Sequence, residues 1–450
     1  MPSFYKNQNR LFILLAAALM LVLGVGRSVR AQEGGDPDAE VERQAYFDRV
    51  AADIESGPAG SQTPVVGTIP CENGFAGIYP CENVDLVAFM PLATIGGGSG
   101  NDIWGWTDPL DGKEYALMGR SSGTAFIDIS DPENPVYLGN LPPHGSNSTW
   151  RDIKVNNNVA YIVSEASGHG MQVFDLTRLR NVIGPPVTFT EDAHYSGFGN
   201  AHNLVINQDT GYAYGVGTST CSGGLHFVNI QSPLAPTAAG CYSGDGYTHD
   251  AQCVVYSGPD ADYQGDEICF AYNADTLTIV DVTVKNSPSL IAREGYPGSG
   301  YTHQGWVTED QIFLLLDDEL DESNFGHNTR TRIWDISDLD NPDLIDFFDS
   351  TFASIDHNQY ILNGYAYQSN YTSGLQILDL IDIASGDLSR AAYFDTYPAS
   401  NGTIFNGSWS NYPFFESGIV IVSDINSGLF ILKPNVEQDL HIYLPVVIKK

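Results

Sequence analysis

The sequence predicts an all-β protein built as one seven-bladed β-propeller, and three observations lead to this prediction. A short alternating segment recurs seven times at intervals of roughly 50 residues, the length of one propeller blade. Further short strands and polar turns flank each copy, which gives about four strands per repeat. Few stretches have the 3.6-residue periodicity of an amphipathic helix.

The recurring segment is an alternating strand that ends in a polar residue, and its first copy spans residues 123–129. The polar residue of the successive copies is Asp128, Asp175, Asn229, Asp281, Asp335, Asp379 and Lys433. The seventh copy lacks a clear fourth strand, whereas residues 84–89 resemble a fourth strand with no blade before them. We therefore expect residues 84–89 to complete the last blade and to close the ring.

The two ends of the chain differ from the repeat region. Residues 1–31 read as a signal peptide, because Lys6 and Arg10 precede an apolar stretch and Val29-Arg30-Ala31 fits a cleavage site. Residues 32–70 are acidic and rich in Gly and Pro, so we predict a linker that contains at most a short helix. The propeller is predicted at 71–434. Residues 435–450 form a tail that reads either as an edge strand or as a surface-sorting segment.

The composition excludes several classes of protein. The formal net charge is −35, from 20 basic and 55 acidic residues, so a nucleic-acid binder is not expected. A hydrophobic fraction of 42% argues against disorder, and the abundance of Gly and Pro argues against a coiled coil. No stretch after the leader is long and apolar enough for a transmembrane helix. We expect a secreted or surface-attached monomer.

The six cysteines fit an oxidising compartment, where a chain of this kind forms three disulfides. Fifteen pairings are possible, and we favour the nearest neighbours in sequence. No Cys-x-x-Cys motif occurs, which argues against a zinc or thiol-redox role. The favoured pairs are Cys71–Cys81, Cys221–Cys241 and Cys253–Cys269.

Histidines recur at one register near the start of the first strand of successive blades. Because first strands line the channel of a propeller, we expect these side chains to converge at one mouth of it. Neutral imidazole is a common metal ligand, so four His suit Fe, Cu, Zn or Mn. The aligned position holds Asp102, Arg151, His202, His249, His303, His357 and Trp409.

Carboxylates near this register are candidates to orient the imidazole rings by hydrogen bonding. The channel predicted from the repeats is also lined by Asp250 and Asp356. The alternative is a structural ring, in which each His only hydrogen-bonds the adjacent blade, and we weight this alternative above the metal site. The predicted orienting carboxylates are Asp152, Glu165, Asp250 and Asp356.

An acidic run at residues 317–322 offers hard oxygen ligands of the kind that Ca²⁺ prefers. The run lacks the spacing of an EF-hand loop, so a solvated loop is the competing interpretation. The candidate calcium ligands are Asp317, Asp318 and Asp321.

The repeated strand resembles the LVIVD repeat, and longer phrases resemble the choice-of-anchor B family of secreted bacterial proteins. These phrases include Trp150-Arg151-Asp152-Ile153-Lys154 and Tyr301-Thr302-His303-Gln304-Gly305-Trp306. The resemblance covers about residues 71–434 and implies a common extracellular domain joined to differing C-terminal anchors. It brings no catalytic residues. The Tyr443-Leu444-Pro445 ending departs from an LPxTG signal.

Three functions compete on the sequence. We favour an exported, non-enzymatic binding module whose partner is an extracellular protein, a glycan or a small ligand. The second is a metal-dependent enzyme that acts at the four-His channel. The third is a surface protein stabilised by calcium. No G-x-S-x-G, H-E-x-x-H or Walker motif occurs, so no reaction is assigned.

Overall fold

Residues 37–436 are described by the computed structural model, and they form seven small antiparallel sheets that follow one another along the chain. The first strands of consecutive sheets contact one another, and the first strand of the seventh sheet contacts that of the first. The ring is therefore closed, and first strands surround its axis. The predicted seven-bladed β-propeller is confirmed.

Each blade has four main strands, with the first strand innermost. In blades 1 to 4 the strands are, for blade 1, Gly100–Thr107, Glu114–Arg120, Gly123–Asp128 and Val136–Leu141; for blade 2, Arg151–Asn156, Val159–Ser164, Met171–Asp175 and Ala193–Tyr195; for blade 3, Asn203–Asn207, Tyr212–Val216, Leu225–Asn229 and Thr237–Tyr242; and for blade 4, Asp250–Val255, Glu267–Tyr272, Leu277–Asp281 and Ser289–Glu294.

Blades 5 to 7 repeat the pattern, and three short strands extend outer edges. The strands are, for blade 5, Thr302–Val307, Phe313–Asp318, Arg330–Asp335 and Asp343–Asp349; for blade 6, Gln359–Leu362, Tyr365–Ser369, Leu375–Asp379 and Ser389–Phe394; and for blade 7, Ser408–Tyr412, Val420–Asp424, Gly428–Pro434 and Val84–Pro91. The edge strands are Val187–Thr188 beside blade 1, and Phe75–Ala76 and Tyr79–Glu82 beside blade 6.

The ring closes as the sequence predicts. Val84–Pro91 pairs antiparallel with Gly428–Pro434, so the beginning of the propeller supplies the fourth strand of its last blade. Within this pair Phe89 and Phe430 are fully buried, and their ring centroids lie 4.5 Å apart. Closure thereby covers a sheet edge that the third strand of blade 7 would otherwise expose.

The recurrent polar residue at the end of the third strand has a local structural role. In the first six blades its side-chain oxygen accepts a hydrogen bond from the backbone N–H two residues later, at 2.8 to 3.0 Å. This Asx turn starts the connection to the fourth strand. The seventh copy has Lys433, and the fourth strand of that blade is Val84–Pro91.

The core lies between blades rather than inside one central mass. Side chains from the facing surfaces of neighbouring sheets interdigitate, as where Phe126 of blade 1 stacks on Phe174 of blade 2 with centroids 4.6 Å apart. Strands buried on both faces explain the near-continuous apolar runs of the repeat, such as Phe313–Asp318. The innermost strands line the central channel, which is polar.

The described part of the predicted linker at 32–70 contains a helix and packs against the propeller. Helix α1, Pro37–Ser56, begins with Pro and is rich in Ala, Glu and Arg, which favour helix. Its Tyr46 and Val50, one turn apart, are buried against the propeller. Further on, Val65 and Ile69 form antiparallel bridges with the closing strand.

The remaining helical elements are short. Helix α2, Asp321–Phe325, follows the second strand of blade 5. The 3₁₀ turns are Leu92–Thr94, Leu176–Leu179, Cys221–Gly223 and Ile383–Ser385. Among the described residues, no helix has the length and hydropathy required to cross a membrane. The predicted signal peptide and most of the predicted tail lie outside the described residues.

The three nearest-neighbour cysteine pairs are disulfides in the structure. Cys71–Cys81 joins the N-terminal segment to the edge strand beside blade 6, and Cys221–Cys241 and Cys253–Cys269 lie within blades 3 and 4. Each bridge closes a loop of 10 to 20 residues and restricts the unfolded chain accordingly. All six cysteines of the chain are therefore paired.

Candidate functional site

The four predicted histidines meet in the central channel. Their rings form a continuous arc, in which successive centroids of His202, His249, His303 and His357 are 4.2, 4.3 and 4.3 Å apart. All four side chains are buried. Blades 3 to 6 each contribute one ring because each places its His just before or at the start of the first strand.

Each of these imidazoles uses Nδ1 to contact a hydrogen-bond acceptor. A backbone carbonyl cannot donate, so Nδ1 carries the proton where the partner is a carbonyl, and a carboxylate favours the same tautomer. Nε2 of each neutral ring then presents a lone pair. The acceptors are Glu165 Oε1 for His202 (2.6 Å), the His303 carbonyl for His249 (3.0 Å), Asp317 Oδ1 for His303 (2.9 Å) and the Trp409 carbonyl for His357 (2.5 Å).

The free nitrogens converge on Glu319. Nε2 of His303 lies 3.7 Å from Glu319 Oε2, and Nε2 of His357 lies 3.6 Å from Glu319 Oε1. Ligand atoms of His249, His303 and Glu319 all lie within 4.8 Å of one another. Among the described residues, Nε2 of His249 has no hydrogen-bond partner. Two imidazoles and one carboxylate thus point at one small volume.

Burial favours the neutral form of three of these imidazoles. It lowers the pKa of His303 to about 4 and the pKa values of His249 and His357 well below their usual range, and the neighbouring rings add to the effect in each case. Burial also raises the pKa of Glu319. A bound cation would oppose both desolvation effects, since it is attracted to imidazole lone pairs and to a carboxylate.

Helix α1 covers this mouth of the channel. Tyr46 donates a hydrogen bond to Glu319 Oε2 and stacks on Tyr301 with centroids 4.7 Å apart. The neighbouring Phe47 lies against His202, with a centroid distance of 5.6 Å. On the other side Tyr371 donates to Glu319 Oε1 at 2.5 Å. Both oxygens of Glu319 are therefore positioned by tyrosine hydroxyls.

Further along the innermost strands the channel widens into a cavity of about 390 Å³. Its walls include Trp104, Trp306 and Tyr360, and its polar groups include Lys154 and Asp250. Burial raises the pKa of Asp250 to about 7, although Lys154 opposes that shift. The cavity combines aromatic walls with a few polar groups, which is the usual make-up of a small-ligand pocket.

Asp102 is displaced by one position from the register that we predicted. Its Oδ2 accepts a hydrogen bond from the Ile153 N–H of the next blade, just as Asp152 accepts from Leu204 N–H. Asp102 is thus equivalent to Asp152, not to the histidines. Ile103 pairs with Met118 as Ile153 pairs with Ile162, so the residue of blade 1 at the position of the histidines is Asn101.

The other residues of the predicted register surround the imidazole arc without continuing it. Arg151 contacts Nε2 of His169 at 3.0 Å, and its pKa is lowered to about 10 by burial. Trp409 contacts His357 through both its carbonyl and its ring. Among the carboxylates proposed to orient the rings, Glu165 does so. Asp152 accepts a hydrogen bond from the Leu204 N–H, Asp250 lines the cavity beyond the rings, and Asp356 lies in a cluster with Asp321 and Glu322.

The predicted calcium ligands do not form one site. Asp317 is engaged with His303 Nδ1 and Gln304 N–H. Asp318 accepts hydrogen bonds from Tyr296, Gly300 and Tyr301. These contacts satisfy both carboxylates within the fold. The groups near Asp321 are instead Glu322 and Asp356, which form a separate buried cluster.

Sequence reasoning missed two kinds of residue at the channel. Glu319 lay inside the acidic run, and its neighbours were chosen as calcium ligands instead. Its position one residue beyond Asp318, on a blade that carries a channel His, is the signal that could have found it. Tyr46 carries no such signal, because it belongs to no repeat and lies far from the channel residues in sequence.

No family model matches this chain, and no curated protein matches it. Three solved structures resemble it at low identity: the computationally designed protein Ika8 (10% identity, 83% of this chain and 96% of that chain, TM-score 0.47), a functionally unknown protein from Desulfotomaculum acetoxidans (12%, 68% and 91%, 0.44) and a protein from Lactobacillus plantarum (12%, 73% and 91%, 0.49). At TM-scores below 0.5 these likenesses carry no argument about function.

Proposed function

We propose that this protein is an exported β-propeller that binds one first-row transition-metal ion in its central channel. His249, His303 and Glu319 supply the ligand atoms that lie closest together, and His357 and His202 flank them. Two imidazoles and a carboxylate suit Fe, Mn, Zn or Cu. The single observation that carries the proposal is the convergence of imidazole Nε2 atoms and a carboxylate in one buried volume.

A purely structural ring of histidines would explain the contacts made by Nδ1 but not the positions of the Nε2 atoms. The Nδ1 contacts from His249 and His357 to carbonyls of the next blade do tie blades together. They leave the Nε2 side unexplained, because Tyr46 and Tyr371 donate to Glu319 whereas the buried Nε2 of His249 has no partner among the described residues. A cation at this point satisfies both sets of atoms.

The carboxylates and carbonyls behind the rings strengthen the case. Ligating imidazoles commonly donate their other N–H to a carboxylate or carbonyl, which fixes the ring and increases its basicity. Glu165 and Asp317 have this position behind His202 and His303. Asp317 therefore supports the channel site, rather than the calcium site for which the acidic run suggested it.

Export is part of the proposal, and the three disulfides support it because such bonds persist in oxidising compartments. An extracellular protein, glycan or small-ligand partner remains a prediction, as does membership of the choice-of-anchor B family. The cavity beside Trp104 and Trp306 is where we expect a small ligand to bind.

The test is elemental analysis of the full chain, expressed with oxidative folding and reconstituted with Mn²⁺, Fe²⁺, Zn²⁺ or Cu²⁺. We expect about one tightly bound equivalent per chain in the wild type. In the double variant His249→Ala/His303→Ala, and in Glu319→Gln, binding should weaken at least tenfold, because ligand atoms are lost.

The matched control is the double variant His144→Ala/His194→Ala. These two histidines stack on each other at 3.7 Å outside the channel, so their removal changes the His content equally and should leave metal binding intact. A wild-type protein that holds no metal after reconstitution contradicts the proposal. Equal loss of metal in both double variants contradicts it as well.

A further inference from the structure

A second cluster of carboxylates lies behind the His channel, where helix α2 meets the segment before blade 6. Ligand oxygens of Asp321, Glu322 and Asp356 lie within 4.8 Å of one another. The three side chains are 0 to 2% exposed. We propose that these residues bind one Ca²⁺ ion, independently of the metal in the channel.

Most carboxylate oxygens of this cluster lack a hydrogen-bond donor among the described residues, and a bound cation would satisfy them. Within residues 37–436, no hydrogen-bond partner contacts Asp321 Oδ1, either oxygen of Glu322 or either oxygen of Asp356. Asp356 comes from a different segment of the chain and is fully buried. Five buried carboxylate oxygens without donors are very unfavourable unless a cation or protons neutralise them.

The charge around the cluster fits a divalent ion. Arg332 donates to Asp321 Oδ2 at 2.7 Å and compensates one of the three negative charges. His327 Nε2 lies 3.6 Å from the same oxygen. Asp318 and Asp317 lie nearby, but backbone and side-chain donors already satisfy them. Ionised, the triad with Arg332 therefore carries two net negative charges.

The chemistry of the donors favours calcium over magnesium. Carboxylate oxygens are hard ligands, and Ca²⁺ accepts six to eight of them, with bidentate carboxylates and irregular geometry. Mg²⁺ retains waters and requires an octahedron, which a dry site of three carboxylates satisfies poorly. Burial and the neighbouring carboxylates raise the pKa values of Glu322 and Asp356, and a bound cation would oppose that effect.

An ion here would fix both segments that build the channel site. Asp321 and Glu322 follow Glu319 by two and three residues, and Asp356 precedes His357. The cluster would thus hold the acidic segment and the start of blade 6 at a constant separation. This inference does not depend on metal in the channel, since it concerns different ligand atoms.

The experiment uses full-length protein dialysed against EGTA and checked by elemental analysis, then titrated with CaCl₂ at pH 7. Binding is followed by calorimetry and by the melting temperature. In the wild type we expect one Ca²⁺ per chain and a Tm rise of about 3 °C at a concentration 100 times Kd. MgCl₂ should bind more weakly.

Asp356→Asn and Glu322→Gln should abolish the Ca²⁺-dependent rise in Tm. In EGTA these variants should melt at or above the wild-type temperature, because one buried charge has been removed. Asp343→Asn is the control, since Asp343 is exposed and belongs to none of the clusters of described residues that could hold a metal ion. It should keep the Ca²⁺ response.

A wild type without a Ca²⁺-dependent change in Tm or heat contradicts the site, and so does an Asp356→Asn variant that retains the response. Metal content in the channel is measured in the same samples. Loss of Ca²⁺ binding with channel metal retained separates failure of the calcium site from failure of the proposed function.

Discussion

At the scale of single residues, the two nitrogens of an imidazole distinguish a structural histidine from a candidate ligand. His169 uses both of them, since Nε2 faces Arg151 at 3.0 Å and Nδ1 faces the Gly170 carbonyl at 3.0 Å. In the channel, by contrast, Nε2 of His249 has no hydrogen-bond partner within the described range. Burial and the adjacent guanidinium lower the pKa of His169 to about 4.

This shift predicts a loss of stability on acidification. In the unfolded state the pKa of His169 is near 6.5, so at acidic pH the unfolded state binds more protons there than the folded state. The stabilisation that the neutral His169 gives to the fold is therefore complete above pH 6.5 and is lost as the pH falls toward 4. We expect the wild type to lose about 2.5 kcal/mol more than His169→Gln between pH 7 and pH 4.5. Denaturant unfolding at both pH values measures this difference. Equal losses of unfolding free energy in the wild type and in His169→Gln would contradict the prediction.

At the scale of elements, helix α1 acts as a cover for the channel. Tyr46, Phe47 and Val50 dock on an aromatic patch that includes Tyr301 and Phe405. Arg49 donates to Ser323 and to the Thr403 carbonyl, both at 3.1 Å, so the helix bridges the α2 region and the loop before blade 7. Such a helix opens locally more readily than a blade unfolds.

Replacing Tyr46 by Ala should loosen this cover. Loss of a buried aromatic ring costs about 3 kcal/mol or more, which raises the fraction of undocked helix. If the channel holds a metal, we expect its transfer to excess EDTA to become at least tenfold faster, with the stoichiometry unchanged. Absorbance of the released metal complex gives the rate.

The control for this prediction is Tyr263→Ala, in the loop between the first two strands of blade 4. That tyrosine contacts Asp340 rather than the channel, so the release rate should stay at the wild-type value. An unchanged rate in Tyr46→Ala would show that metal leaves by the other end of the channel.

At the scale of the whole molecule, closure of the ring links the two ends of the described chain. The pairing of Val84–Pro91 with Gly428–Pro434 joins residues more than 300 positions apart, so blades cannot separate without breaking it. Because the paired segments are far apart in sequence, forming this contact costs much chain entropy, and the strand pairing must offset that cost. Cys71–Cys81 and the bridges from Val65 and Ile69 reinforce the same region.

Leu86→Ala should therefore destabilise the entire ring. Leu86 is fully buried in the closing strand, and truncation of a buried Leu costs about 3 kcal/mol through lost contacts and a cavity. Leu290→Ala is the matched control, because Leu290 lies in the fourth strand of blade 4 but is 51% exposed, and its loss should cost under about 0.5 kcal/mol. Guanidinium unfolding measures both, and equal effects would contradict a stabilising closure.

The sequence by itself determined the ring, its closure and the convergence of four histidines. These follow from a repeat, because each copy forms the same local structure and a residue at one register therefore reaches one level of the channel. The neighbouring Cys pairs are likewise close in sequence. The predicted register is wrong only at Asp102, which is equivalent to Asp152 rather than to the histidines.

Only the tertiary structure decided which atoms meet. Glu319 enters the channel, and Asp356 joins Asp321 and Glu322, because the loop between the second and third strands of blade 5 meets the segment before blade 6. Helix α1 docks by the fit of Tyr46 and Val50 to a surface made from several distant blades. Such contacts depend on side-chain packing between segments hundreds of residues apart, and local periodicity contains no information about them.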